Sequence, residues 1–289
     1  MATPLGNLRD ITLRALDVLA SVAAIAAEDT RRTRQLLSHY QISVQLIALH
    51  EHNEARAAQQ LIALLSEGKS VAYVTDAGTP GISDPGTLLV SRVRDANLRV
   101  IPIPGPSAVT AALSVAGMSA QQFLFCGYPS SKAAHRREEL RAVSQLPYTL
   151  VFYEAPHRLS STVEDMEQCL GPARVIVIGR EISKMFETFH RCTLAEARAW
   201  LAADPNRTRG EFVLVVQGAS GAYVDAAETS QRALNVLLRE LPLKQAVNLA
   251  AEITGANRKT MYRQALELKE QDDWATQSGA TRRKSERDH

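Results

Sequence analysis

Between Thr75 and Gly86 the sequence reads TDAGTPGISDPG, a run of small and turn-forming residues that carries two carboxylates, Asp76 and Asp84. An apolar run from Ser70 to Thr75 precedes it and a helix-period stretch follows, so the loop sits at the carboxyl end of a strand, where open α/β sheets bind ligands. Glycines let backbone N–H groups come close to a ligand, and Asp76 and Asp84 can accept hydrogen bonds from a ribose or an ammonium. A turn-rich connection with a helix cap uses the same residue types. Its length argues against that reading, because about twelve residues are used where two to six are usual. Pro104-Gly105-Pro106-Ser107 forms a second rigid loop on the same edge, and Thr3-Pro4-Leu5-Gly6-Asn7 is a third if a strand precedes it. None of these is GxGxxG, and neither GxxxxGKS nor GxxxxGKT occurs, so a dinucleotide fold of the usual kind and a P-loop are both unsupported.

The charged motifs also fall just after strand-like runs. In Glu28-Asp29-Thr30-Arg31-Arg32-Thr33-Arg34, Arg31 or Arg34 can hold a phosphate and Asp29 can handle a hydroxyl proton. Acids at a helix start followed by cations further in explain the same run without any ligand. His50-Glu51-His52-Asn53-Glu54 suggests a metal, but HExxH is absent and His50 and His52 would point oppositely in extended chain. Cys126, Cys169 and Cys192 are 43 and 23 residues apart, which fits neither a disulfide framework nor a CxxC pair, so they read as buried thiols. No metal site is assigned. Tyr153 to Arg158 and Arg180 to Glu187 are either solvated charged loops or parts of a site at strand ends. From Ala250 to Arg263 the small residue, the glycine and the basic helix have helix-turn-helix spacing, with Gly255 at a left-handed turn, Asn257 as N-cap, and Arg258, Lys259 and Arg263 available to phosphates. A plain three-helix packing module has the same spacing.

The elements that must position these loops alternate between helical and strand-like periods up to about Ala116, the pattern of a mostly parallel sheet covered by helices. Helices are predicted over Leu8 to Val22, Thr30 to Tyr40, Asn53 (as N-cap) to Glu67, Pro85 to Asn97 and Ser107 (as N-cap) to Ala116; strands over Ile25 to Ala27, Gln45 to Leu49, Ser70 to Thr75 and Arg99 to Ile103. Further strands are expected at Phe123 to Cys126, Thr149 to Tyr153, Val175 to Ile178 and Phe212 to Val216. Helices at Lys132 to Leu146, His157 to Leu170 and Leu194 to Ala203 accompany them. The boundaries that follow are an α/β domain at 1–117, a second at 118–218, a small-residue linker at 219–230 and a helical module at 231–289, with helices at Gln231 to Glu240, Lys244 to Ile253 and Arg258 to Glu270 and a frayed tail from Ser278.

A chain of 289 residues has room for about two domains, and 45% hydrophobic with 22% charged residues suits packed cores. No window approaches the roughly 18 apolar residues of a membrane span, and the start lacks a signal peptide's features, so the expected location is the cytoplasm. With 33 basic against 31 acidic residues the formal charge is +2, so any polyanion must meet a local basic patch.

Taken together, TPLGN, AAEDTR, HEHNE, DAGTPGISDPG, PGPSA, FYEAPHR and REISK, in this order from Thr3 to about Leu268, resemble the bacterial small-subunit ribosomal RNA cytidine 2′-O-methyltransferases of the tetrapyrrole methylase superfamily. The resemblance implies a two-domain α/β fold with a cleft that takes S-adenosylmethionine, a helix-turn-helix-like C-terminal module that aids RNA binding, frequent homodimers, and methylation of a cytidine ribose of 16S rRNA within the 30S subunit. Donor contacts are then expected from Pro4, Asp76, Ala77, Gly78, Ile82, Ser83, Ser107 and Tyr153. A ribose hydroxyl needs a proton acceptor, and the candidates are Asp29, His52, Lys184 and Glu187, with Arg31 and Arg180 stabilising phosphate or charge. The chemistry requires no metal. Relatives begin with an apolar strand just before TPxGN whereas Met1 and Ala2 alone precede it here, so that strand is expected to be missing, through a late start or a trimmed chain. Two other readings stay open: a corrin or porphyrin methylase of the same fold, and a ligand-sensing DNA-binding regulator.

Overall fold

The computed structural model describes residues 1–50, 52–219, 226–266 and 268. The chain divides into two compact units, Met1–Ala219 and Ser220–His289. The first unit opens with α1 (Leu13–Ser21), β1 (Ala24–Ala27), α2 (Thr30–His39), β2 (Gln45–Ala48), α3 (Glu54–Ser66), β3 (Val71–Val74), α4 (Thr87–Asp95) and α5 (Ala108–Ala116). The single helix predicted from Leu8 is broken: Leu8–Asp10 is a 3₁₀ turn, and α1 restarts where the Thr12 hydroxyl accepts the Ala15 N–H. Asn53 and Ser107 stand at N-cap positions without capping. The Asn53 amide instead accepts from His50 N and donates to the Ala48 carbonyl.

Three parallel strands in the order β2-β1-β3 form the first sheet of the described residues. β1 is central and wholly buried; Ile25 and Ala27 face one apolar cluster while Ala24 and Ala26 face the other, which is why its sequence is continuously apolar rather than alternating. Arg99 to Ile103, predicted as a strand, joins no ladder. Met1–Thr3 lies between that segment and β3 instead, with the Met1 ammonium on the Tyr73 carbonyl (2.7 Å), Ala2 N–H on the Ile103 carbonyl (3.2 Å), and Thr3 and Gly78 exchanging backbone bonds of 2.9 Å. These bonds tie the TPLGN loop to the glycine loop.

The second sheet is mixed rather than parallel. Its strands are β4 (Phe123–Gly127), β5 (Thr149–Glu154), β6 (Val175–Arg180), β7 (Thr188–Thr193) and β8 (Phe212–Val216), in the order β4-β5-β8-β6-β7, with β8 antiparallel to both neighbours and β7 antiparallel to β6. β7, TFHRCT, escaped the sequence reading because it is half polar and lies at the sheet edge. Helices α6 (Ala133–Val143), α7 (Leu159–Leu170) and α8 (Leu194–Ala202) cover the face bearing Leu150, Phe152, Ile176 and Leu214, while α5 covers Val151, Val177 and Val215 on the other. Cys126, Cys169 and Cys192 are free thiols, half-buried against this core rather than sealed within it.

In the second unit, α9 (Ala226–Glu240) begins inside the stretch expected to be a linker. With α10 (Leu243–Thr254) and helical residues 258–266 it buries Leu234, Val247, Ala250, Met261 and Ala265. Gly255 takes the expected left-handed turn at φ +69°. Asn257 caps the helix that follows, its side chain accepting from Lys259 N (2.9 Å) and Thr260 N (3.4 Å). The predicted end at Glu270, the tail from Ser278, and Glu51 lie outside the described residues.

Candidate active site

A cavity of about 270 Å³ opens at the carboxyl ends of β1 and β3 and is closed on its other side by the second sheet. The glycine loop forms one wall. It is anchored at its far end by Glu54 of α3, whose carboxylate accepts from Gly86 N (3.1 Å) and Leu89 N (2.9 Å), and by the Tyr73 hydroxyl, which donates to the Pro85 carbonyl (2.6 Å). Gly86 has φ +122°, and a Cβ there would stand 2.3 Å from the Tyr73 ring, so the anchor admits glycine alone. At the near end Gly78, at φ +76°, pairs with Thr3. Ser83 meets the second sheet, where a Cβ on Gly127 would lie 3.3 Å from its hydroxyl.

The wall is rich in carboxylates. Glu28, Asp76, Asp84 and Glu211 all line the cavity, against one cation, Arg32, whose guanidinium is 3.4 Å from Asp76. The Asp76 backbone N–H donates to Glu28 (3.3 Å), and the Asp76 carboxylate accepts from Asp29 N (3.0 Å). Burial raises the Glu28 pKa, and the Asp76 N–H only partly offsets it. Burial and the nearby charge of Glu28 lift Asp84 to about 6, against a smaller opposing pull from the Thr75 hydroxyl. Tyr128 and Tyr153, edge to face with centroids 5.5 Å apart, supply the aromatic side.

Of the residues singled out as donor contacts, Asp76, Ala77, Gly78, Ile82, Ser83, Ser107 and Tyr153 line this cavity. Pro4 does not; it borders an adjoining hollow of about 170 Å³ that shares Arg32 and Asp76 with the main cavity. The residues proposed for chemistry are not brought together: Asp29, Arg31, His52, Arg180, Lys184 and Glu187 are all missing from the cavity wall. Asp29 caps α2 and grips the Arg31 guanidinium (2.8 and 3.1 Å), whose hydrogen bonds hold its carboxyl far below the usual range, so it is a poor proton acceptor. His52 is exposed in the turn before α3. Arg180 is spent on the Arg209 and Phe186 carbonyls, and Glu187 on Ser183 N. Burial pulls Lys184 down, but its hydrogen bonds to Glu211 and Glu181 more than reverse this, so it stays a cation. Its stem packs on Gly6, which leaves no room for a Cβ there, and Asn7 N donates to Ser183 (3.3 Å). Lys184 thus supports the wall from behind, through Glu211.

The sequence reading gives no role to Glu28 and Arg32, although both stand in the charged run after β1, and does not single out Tyr128 or Glu211. Glu28 and Tyr128 directly follow β1 and β4, the strand-end signal that had picked out the glycine loop. Glu211 precedes β8, and reaches the same edge only because β8 runs antiparallel.

Residues 2–198 match the tetrapyrrole (corrin/porphyrin) methylases, and residues 224–269 match the RsmI C-terminal HTH domain. The chain is 48% identical over 265 residues to ribosomal RNA small subunit methyltransferase I of Escherichia coli O157:H7, covering 92% of this chain and 93% of that protein. It is also 48% identical over 269 residues to the protein of the same name from Pseudomonas aeruginosa, covering 92% and 95%. Among solved structures, the methyltransferase CobJ (TM-score 0.56, 19% identity) and cobalt precorrin-4 methyltransferase (TM-score 0.58, 13% identity) share the fold; each match covers 75% of this chain and 94% or 92% of theirs.

Proposed function

Since the chain belongs to the tetrapyrrole methylase family and is a near-full-length relative of the small-subunit ribosomal RNA methyltransferases, we propose that it uses S-adenosylmethionine to methylate the 2′-hydroxyl of a cytidine in 16S rRNA of the 30S subunit. The observation that carries this reading is the span of the relationship: it takes in both the cavity and the C-terminal unit, whereas the corrin enzymes share the fold at 13% and 19% identity. An enzyme that modifies ribosomal RNA is expected in the cytoplasm, and a homodimer is its expected form. No described helix is long and apolar enough to cross a membrane.

The cavity's chemistry fits the donor. Even with Arg32 beside Asp76 and the Lys184 ammonium paired to Glu211 from outside the wall, the four wall carboxylates outnumber the cations near them and favour a ligand carrying sulfonium and ammonium charge. Glu28 and Asp76 would face those cations, Asp76 to Gly78 would offer backbone groups, and Ile82 with Tyr153 would cover the apolar part of the nucleoside. When bound, S-adenosylmethionine supplies a methyl group on positively charged sulfur; a thioether leaves, so no acid is needed. The chain's own work is to orient the acceptor hydroxyl, exclude water and take its proton. Asp84 is the proposed acceptor, because it lines the cavity and burial lifts its pKa to about 6, while Glu28 is already engaged by the Asp76 N–H. Arg32 replaces Arg31 as the phosphate-facing cation, since it lines the cavity whereas Arg31 does not, and its ion pair with Asp76 (3.4 Å) is looser than the two-point grip of Asp29 on Arg31 (2.8 and 3.1 Å). The direct test is labelled methyl transfer to isolated 30S subunits against a tetrapyrrole acceptor; label on the tetrapyrrole alone overturns the reading.

The C-terminal unit is proposed to grip RNA. Arg258, Lys259 and Arg263 are exposed and enter no ion pair among the described residues. Changing all three to alanine is expected to flatten the log–log salt dependence of 30S binding by about 2, at roughly 0.7 to 0.9 per phosphate contact. An unaltered slope in a filter-binding titration removes these residues from the RNA interface.

A further inference from the structure

The turn from β6 to β7 carries two large apolar side chains in water, Met185 at 90% and Phe186 at 63% exposure. Burial against the sheet would be the favourable place for both; here the backbone holds them away from it. Glu181 and Ser183 hold positive φ values of 53° and 65°, rare for residues with a side chain. Two successive turns follow, closed by Lys184 N on the Glu181 carbonyl (2.9 Å) and Glu187 N on the Lys184 carbonyl (3.2 Å). The Glu187 carboxylate accepts from Ser183 N, and the Phe186 carbonyl accepts from the Arg180 guanidinium and the Thr188 hydroxyl. Met185 and Phe186 are therefore displayed at the apex of a turn that is pinned on both sides. Its base belongs to the cavity, since Ile182 lines the wall and Lys184 bonds Glu211, another wall residue, at 2.9 Å.

We infer that Met185 and Phe186 form a wedge that stacks on an RNA base next to the acceptor cytidine and holds that nucleotide unstacked for entry to the cavity. The inference rests on the RNA methyltransferase reading of the site. An enzyme acting on one nucleotide of a folded RNA must free it from its neighbours, and an apolar or aromatic side chain that replaces the lost stacking partner lowers that cost. A rigid turn suits the task, because no ordering of the turn opposes binding. A base, rather than a protein, is the occupant favoured by placement at the cavity and by Arg209, exposed beside the turn and free of ion pairs among the described residues, which can meet the adjoining phosphate.

Two variants test the wedge, Phe186→Ala and Phe186→Trp. The alanine variant is expected to raise KM for 30S subunits about 5- to 20-fold, the lower part of the range for one base stacked on one aromatic ring. Its S-adenosylmethionine affinity and light-scattering mass should match the wild type, and the tryptophan variant should restore KM. The fluorescence of Phe186→Trp, read above the wild-type background, should be quenched by a cytidine-bearing RNA hairpin without any donor present. Wild-type transfer to 30S with no such quenching, or with an unchanged alanine KM, overturns the wedge and leaves the methyltransferase reading standing. A fall in the mass of the alanine variant assigns the pair to a contact between copies of the chain and overturns it equally. Quenching without transfer of methyl to 30S supports the wedge and counts against the proposed reaction.

Discussion

Asp84→Asn is expected to lower kcat for methyl transfer to 30S subunits by about 10²- to 10⁴-fold, the usual worth of a positioned proton acceptor. Asparagine keeps the size of the side chain but cannot take a proton. In the wild type, kcat/KM should rise with pH through a limb near 6 and then level, because the carboxylate must be ionised to act. Binding of the cationic donor favours the ionised form, so the limb in kcat should fall below that value. Asparagine should erase both limbs. Loss of fold is a separable explanation, and its sign is opposite. A carboxyl whose pKa is raised in the folded protein stabilises it at low pH, and that contribution is lost as pH rises through about 6. At pH 8 the asparagine variant should therefore melt no lower than the wild type. A variant with wild-type kcat at pH 8 removes Asp84 from proton transfer.

Gly78→Val should weaken S-adenosylmethionine binding by about 2 to 3 kcal/mol, or 30- to 150-fold, through loss of backbone hydrogen bonds and close approach at the loop. Gly78 holds φ +76° and exchanges two backbone bonds with Thr3, so the variant disturbs both loops at once. Added strain of about 1 to 3 kcal/mol should lower the melting temperature without unfolding the unit, because the position lies beside the cavity and outside the apolar clusters. Titration calorimetry on the folded variant decides it. Unchanged donor affinity separates the glycine loop from donor binding.

The placing of the cavity was legible because it follows from parallel topology. A small-residue loop after an apolar strand has to emerge at the carboxyl edge, and Asp76, Gly78 and Ser83 do so with no knowledge of distant contacts. The chemical groups were less legible because charge alone does not separate a wall from its scaffold. Asp29 and Arg31 look like a proton acceptor and a phosphate clamp in the sequence, yet they satisfy each other at the start of α2. Lys184, Glu187 and Arg180 look like a cluster of reactive groups, yet they hold one turn in shape. Asp84 gained its character from burial next to Glu28, which lies far away in the chain. The mixed second sheet was hidden for a similar reason: β7 is a half-polar edge strand, and without it the reversal that brings Glu211 to the cavity cannot be traced.

The most direct test of the central claim is the chemical position of the methyl group on RNA. Purified protein, labelled S-adenosylmethionine and 30S subunits lacking the modification are incubated together, and the 16S rRNA is then hydrolysed in alkali. A methyl on the 2′-oxygen blocks attack on the adjoining phosphodiester, so the label should be recovered in an alkali-resistant dinucleotide that begins with cytidine. Label recovered in a mononucleotide, which places the methyl on a base, or no transfer to 16S rRNA, would contradict the account.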